Sequence, residues 1–86
     1  MRIMKIKVLL FARLREIVGS EMVELHRNEI FTVRDVWDTL QAEFPQVEGF
    51  GKSLLFSLNQ EFADLNTRIE DGDELAIFPP VSGGDN

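Results

Sequence analysis

The sequence predicts a two-layer α+β roll of the β-grasp type, in which a mixed sheet packs on one long helix. Three observations lead there. Residues 3–11, Ile-Met-Lys-Ile-Lys-Val-Leu-Leu-Phe, alternate well enough for a strand. Val33, Val36, Trp37, Leu40 and Phe44 recur at helical spacing and form one apolar stripe. Further apolar runs follow the helix, so the order is hairpin, helix, strands. A right-handed crossover then brings a late strand beside the first, and the helix covers one sheet face while the other stays open.

In the first strand Met4, Ile6, Val8 and Leu10 share a face and are expected in the core. Lys5, Lys7, Leu9 and Phe11 share the other, which starts charged and ends apolar. Residues 12–18 make two helical turns with Leu14, Ile17 and Val18 inward and Gly19 as the stop; Arg13 and Arg15 point out. Residues 22–26 form a second strand with Val23 and Leu25 inward and His26 at the surface beside Glu24. Thr32 is placed to cap the long helix, with Asp35 as its capping-box partner, and Pro45 ends it. Residues 46–53, with Gly49 and Gly51, read as a loop. Residues 54–58 are a third strand, Asn59-Gln60-Glu61 a turn, and 62–65 a short strand or an irregular crossing. Glu70-Asp71-Gly72-Asp73 is a tight turn. In the last strand, 74–78, Leu75 and Ile77 face one way and Glu74, Ala76 and Phe78 the other. If the first and last strands pair, Lys5 and Lys7 lie near Glu74, and Leu9, Phe11 and Phe78 cluster where the last strand ends.

Eighty-six residues, 44% of them hydrophobic, support one domain with a single modest core. The apolar run at 8–11 is too short for a signal peptide and meets Arg13 and Arg15, and no stretch nears the ~18 apolar residues of a membrane helix. The expectation is a soluble cytoplasmic protein without a membrane role. A net charge of −6 disfavours nucleic acid, whose phosphates require clustered Lys and Arg. With no Cys and a single His, disulfides, thiolate metal sites, a cysteine nucleophile and the common zinc and triad sets are absent from the expected chemistry. No resident metal or cofactor is expected.

The chain after residue 78 offers a different kind of reacting group. Pro79 and Pro80 cannot extend a sheet ladder and make a stiff exit from the folded body. Val81, Ser82, Gly83 and Gly84 then span on the order of 13 Å with little side-chain bulk. Residues 1–80 thus read as the domain and 81–86 as a tail. A frayed terminus and a slim tail that enters a partner's channel are both compatible with that composition.

Three stretches resemble the small subunits of molybdopterin synthase, the MoaD-like sulfur carriers: Lys7-Val8-Leu9-Leu10-Phe11-Ala12 with Arg15-Glu16, then Leu58-Asn59-Gln60-Glu61, and above all residues 71–84, from Asp-Gly-Asp-Glu through Phe-Pro-Pro to Gly-Gly. The resemblance implies the ubiquitin-like β-grasp fold and a non-catalytic sulfur-donor subunit. In that family an E1-like (MoeB-like) enzyme uses ATP to adenylate the terminal glycine, which becomes a thiocarboxylate. The tail then enters a large MoaE-like subunit and donates sulfur to cyclic pyranopterin monophosphate, giving the dithiolene of molybdopterin. The resemblance assigns Gly84, with Gly83, to the reacting end. It assigns Phe11, Arg15, Phe62 and Phe78, with the tail root Pro79, Pro80 and Val81, to docking on the large subunit.

One departure from the family pattern bears on the chemistry. Asp85 and Asn86 follow Gly84, so Gly84 is an internal amide as the chain is written. The expectation is that a peptidase trims the two residues; the alternative is a carrier that stays inactive or a relative kept for binding. A ubiquitin-like modifier joined to lysines through Gly84 would use the same tail chemistry. A carrier for thiamine thiazole synthesis fits the Phe-Pro-Pro root less well. A purely structural binding subunit would have no need of Gly84.

Overall fold

The computed structural model describes residues 3–50 and 54–79. The elements in order are β1 (Met4–Leu10), α1 (Ala12–Val18), β2 (Met22–Arg27), α2 (Val33–Glu43), a 3-10 helix (Pro45–Phe50), β3 (Leu55–Leu58), β4 (Glu61–Ala63) and β5 (Glu74–Phe78). They build one mixed sheet of strand order β2-β1-β5-β3-β4. β1 and β5 run parallel, and the other neighbours are antiparallel. This is the α+β roll that the order of apolar segments predicts.

The core follows strand parity. Ile6, Val8 and Leu10 of β1, Leu25 of β2, Phe56 of β3 and Leu75 and Ile77 of β5 are buried on one face of the sheet. Val33, Val36, Trp37 and Leu40 of α2 are buried in the same core cluster. The start of α2 is fixed by a complete capping box. The Asp35 N–H donates to Thr32 Oγ1 at 3.4 Å, and the Thr32 N–H donates to Asp35 Oδ2 at 3.0 Å. Two of the unpaired donors at the helix start are thereby satisfied.

A hydrogen-bond network before β5 sets the register of the two central strands. Gly72, at φ 89°, turns the chain, and its N–H donates to the Lys5 carbonyl at 2.8 Å. The Lys5 N–H donates to Asp71 Oδ1 at 2.8 Å, and the Lys7 N–H to the Asp73 carbonyl at 3.0 Å. From the other side comes Asn59, which with Gln60 forms the two-residue β3–β4 turn at φ 52° and 72°. Its Nδ2 donates to Asp73 Oδ1 at 2.9 Å and its Oδ1 accepts the Glu74 N–H at 3.0 Å. Its own N–H donates to the Glu74 carbonyl at 2.8 Å. The Asn59 and Asp71-Gly72-Asp73-Glu74 segments therefore lock β5 between β1 and β3.

Three expectations need correction. Residues 45–50 are not loop but a 3-10 helix, because Val47 turns fully into the core and the Val47 N–H bonds back to the Phe44 carbonyl. Phe11 is not the last residue of the strand; it is the N-cap of α1. Lys7 stands opposite Glu74, but Lys5 stands two residues away from that pair, opposite His26 of β2. Tail residues 80–86 lie outside the described residues.

Candidate functional site

Because α2 covers one face, the other face of the sheet is open, and alternation decides what it shows. One row across all five strands reads Met22, Leu9, Ala76, Ser57 and Phe62. Towards the tail the next row holds Phe11, Phe78 and Leu55, with Leu55 paired to Phe78. Away from the tail the row Glu24, Lys7 and Glu74 is charged. The open face is thus divided: apolar at the end where the tail leaves, charged at the other.

At the apolar end the rings of Phe11 and Phe78 stack, with centroids 4.5 Å apart and planes at 16°. Phe11 reaches Phe78 because the chain turns from β1 into α1 within one residue. Ala12 takes φ 54° there, a left-handed placement that is uncommon for a residue with a Cβ. The turn keeps Phe11 on the open face while Leu14, three residues on, is fully buried. Large apolar side chains are left in solvent around the stack: Phe11 is 39% exposed, Met22 41%, Leu55 49% and Phe62 84%. Such a concentration on one face of a small domain is the mark of a contact surface.

Arg15 projects from α1 at the border of this surface. Its guanidinium is 3.9 Å from the Glu21 carboxylate, with both side chains exposed. With Lys7, Leu9, Phe11, Met22 and Glu74 these two enclose a shallow hollow of about 340 Å³. Phe11, Arg15 and Phe78 are therefore brought together, while Phe62 sits at the far edge of the same face. Pro79 follows Phe78 half-buried, and Pro80, Val81, Gly83 and Gly84 fall outside the described residues. Leu55 and Met22 belong to the surface although the residues alone did not single them out. The inward parity of Phe56 and Val23 was the signal available for both.

The apolar side chains that dominate the tail end of this face are suited to recognition. Among the described residues no group of three or more His, Asp and Glu is placed to hold a metal. His26 is exposed, with Nε2 3.2 Å from Glu24 Oε1. No helix among the described residues is long and apolar enough to cross a membrane.

Comparison with known proteins supplies the context for this surface. A family model described as the ThiS family matches residues 8–84. The molybdopterin synthase sulfur carrier subunit of Arabidopsis thaliana is 39% identical over 80 residues, covering 93% of this chain and 83% of that protein. The crystal structure of small archaeal modifier protein 1 from Haloferax volcanii is similar at TM-score 0.81 and 38% identity, over 93% of this chain and 99% of that one. A chain in the complex of subunits 1 and 2 of the molybdopterin-converting factor from Helicobacter pylori is similar at TM-score 0.66 and 26% identity, over 94% and 100%.

Proposed function

Because the chain belongs to the ThiS family, we propose that it is the sulfur carrier subunit of a molybdopterin synthase. The observation that carries this reading is the Phe11–Phe78 stack, a half-exposed aromatic anchor where the last strand ends. The open face docks on a large, MoaE-like subunit, as the subunits of the Helicobacter pylori factor form a complex. Binding energy comes from the body, and the tail presents its end group inside the partner. Holding the reacting end in place in this way removes much of the entropic barrier to transfer.

The chemistry belongs to the main chain. A peptidase hydrolyses the Gly84–Asp85 bond, which frees the Gly84 carboxylate. An E1-like enzyme joins that carboxylate to the AMP moiety of ATP with loss of pyrophosphate. A donor that supplies sulfur at the sulfide level attacks the acyl carbon and displaces AMP, leaving the thiocarboxylate. The thiocarboxylate sulfur attacks cyclic pyranopterin monophosphate, and water then cleaves the acyl–sulfur bond and restores the Gly84 carboxylate. Gly84 leaves the acyl carbon unhindered, and Gly83 lets the tail adapt to a channel. This chain binds no cofactor in that scheme, catalyses no step itself, and works in the cytoplasm, where ATP is available.

Co-purification from the native cell with a candidate large subunit, followed by intact-mass analysis, tests the reading. The expected result is a complex whose small subunit ends at Gly84 and carries sulfur in place of one oxygen. Recovery of only full-length chain counts against it.

A second reading is favoured by the likeness to the Haloferax volcanii modifier, which is higher than that to the Helicobacter pylori chain. In it, Gly84 is joined to lysines of other proteins. Isopeptide conjugates in cells, without rescue of molybdoenzyme activity by this chain, would establish that reading instead.

A further inference from the structure

The two edges of the sheet are finished differently. β2 is one edge and β4 the other. The Glu21 carbonyl accepts the Leu10 N–H at 2.9 Å, so alternation turns the main-chain groups of Met22, Glu24 and His26 away from β1. Side chains already hold several of these groups. The Ser20 hydroxyl donates to the Met22 carbonyl at 2.8 Å and accepts the Met22 N–H at 3.3 Å. The Arg27 guanidinium donates to the His26 carbonyl at 3.0 Å. Groups occupied in this way blunt an edge against a further strand.

β4 carries no such cover. The Asn59 N–H donates to the Glu74 carbonyl at 2.8 Å, so Leu55 and Ser57 of β3 also turn their main chain to β5. Phe56 and Leu58 turn theirs to Ala63 and Glu61 of β4. Phe62, between those two, points its N–H and carbonyl outward, where neither has a partner among the described residues. Its ring lies on the open face and is the most exposed large apolar side chain among the described residues.

Opposite charges flank that residue on the other side of the strand. By parity Glu61 and Ala63 share the face of β4 turned towards α2. Ala63 and Arg34 of α2 line one open groove of about 400 Å³ beside β4. Arg34 is held there by its main chain, whose N–H donates to the Leu65 carbonyl at 3.0 Å. The exposed side chains of Arg34 and Glu61 make no ion pair among the described residues. Asp64 also borders the groove, but its carboxylate is engaged by the Asn66 N–H at 2.8 Å and the Thr67 hydroxyl at 3.3 Å.

We propose that two copies of this chain join through β4, antiparallel about a two-fold axis at Phe62, and make one ten-stranded sheet. Each Phe62 N–H donates to the Phe62 carbonyl of the other copy, and the two rings meet on the open face. Glu61 of each copy stands opposite Ala63 of the other, with Cα atoms ~4.5 Å apart, which brings its carboxylate to the groove that Arg34 lines. The two-fold axis makes that ion pair twice, so the edge is complementary to itself. The self-association stands apart from the sulfur-carrier reading. One consequence rests on that reading: Phe62 cannot serve a second copy and a large subunit at once.

Sedimentation equilibrium of the full chain from micromolar to millimolar concentration, with amide NMR spectra over the same range, tests the proposal. The expected result is a mass that rises towards twice that of the monomer, with the accompanying shifts centred on residues 61–63. Glu61→Lys and Arg34→Glu each set like charges against one another twice and are expected to weaken association about tenfold. Both substitutions in one chain restore opposite charges and are expected to return association to near its original strength. A chain that stays monomeric at millimolar concentration overturns the proposal. So do shifts centred elsewhere, as on β2 or the Phe11–Phe78 stack, or a double variant that associates no more tightly than the single ones. Both positions are exposed and no readout involves sulfur transfer, so the outcome is independent of the proposed function.

Discussion

Asn59 holds the entrance to β5 with three hydrogen bonds, two of them from its side chain. It also takes the positive φ that Asn tolerates better than most residues. Asn59→Ala should therefore lower stability by about 1–3 kcal/mol, read as a drop in thermal midpoint. At the other end of the same strand, Phe78→Asp places a charge on the stack with Phe11. It should abolish docking on a large subunit in a binding assay yet leave the circular dichroism spectrum intact, since Phe78 lies on the open face. Alternation in β1 and β5 was enough to anticipate that Phe11 and Phe78 meet. The left-handed turn at Ala12 that brings them together left no trace, because an alanine in that conformation looks like any other alanine.

The long helix was the most legible element, since its cap, its stripe and its stop are each local. Thr32→Ala removes one half of the capping box and should cost about 0.5–2 kcal/mol in chemical denaturation. Trp37→Ala, at a position only 5% exposed, should cost more, about 3–5 kcal/mol. The 3-10 helix after it was illegible for a physical reason. Pro45, Gly49 and Gly51 all argue for loop, and only Val47, buried through tertiary packing, and Phe50, packed against the same core, argue otherwise. β4 has just three residues, too few for alternation to separate a strand from a crossing; its pairing with β3 comes from the turn at Asn59 and Gln60.

For the whole molecule, the proposed function gives docking to the body and transfer to the tail. Gly84→Val should block sulfur transfer while docking on the large subunit stays at its original affinity, as measured by turnover and by titration on the same preparation. The open face was foreseeable from the count of layers, because one long helix cannot cover both sides of a sheet. Its division into apolar and charged halves required the strand register, which the sequence alone does not fix for Leu55 or Phe62.

The place of β5 has a mechanical consequence. It lies in the middle of the sheet, bonded to β1 on one side and β3 on the other. A pull on the chain beyond Phe78 acts along the strand, so it loads both ladders in shear and cannot peel one bond at a time. Traction applied at the end of β5 is thus borne by the interior of the sheet and spares its edges.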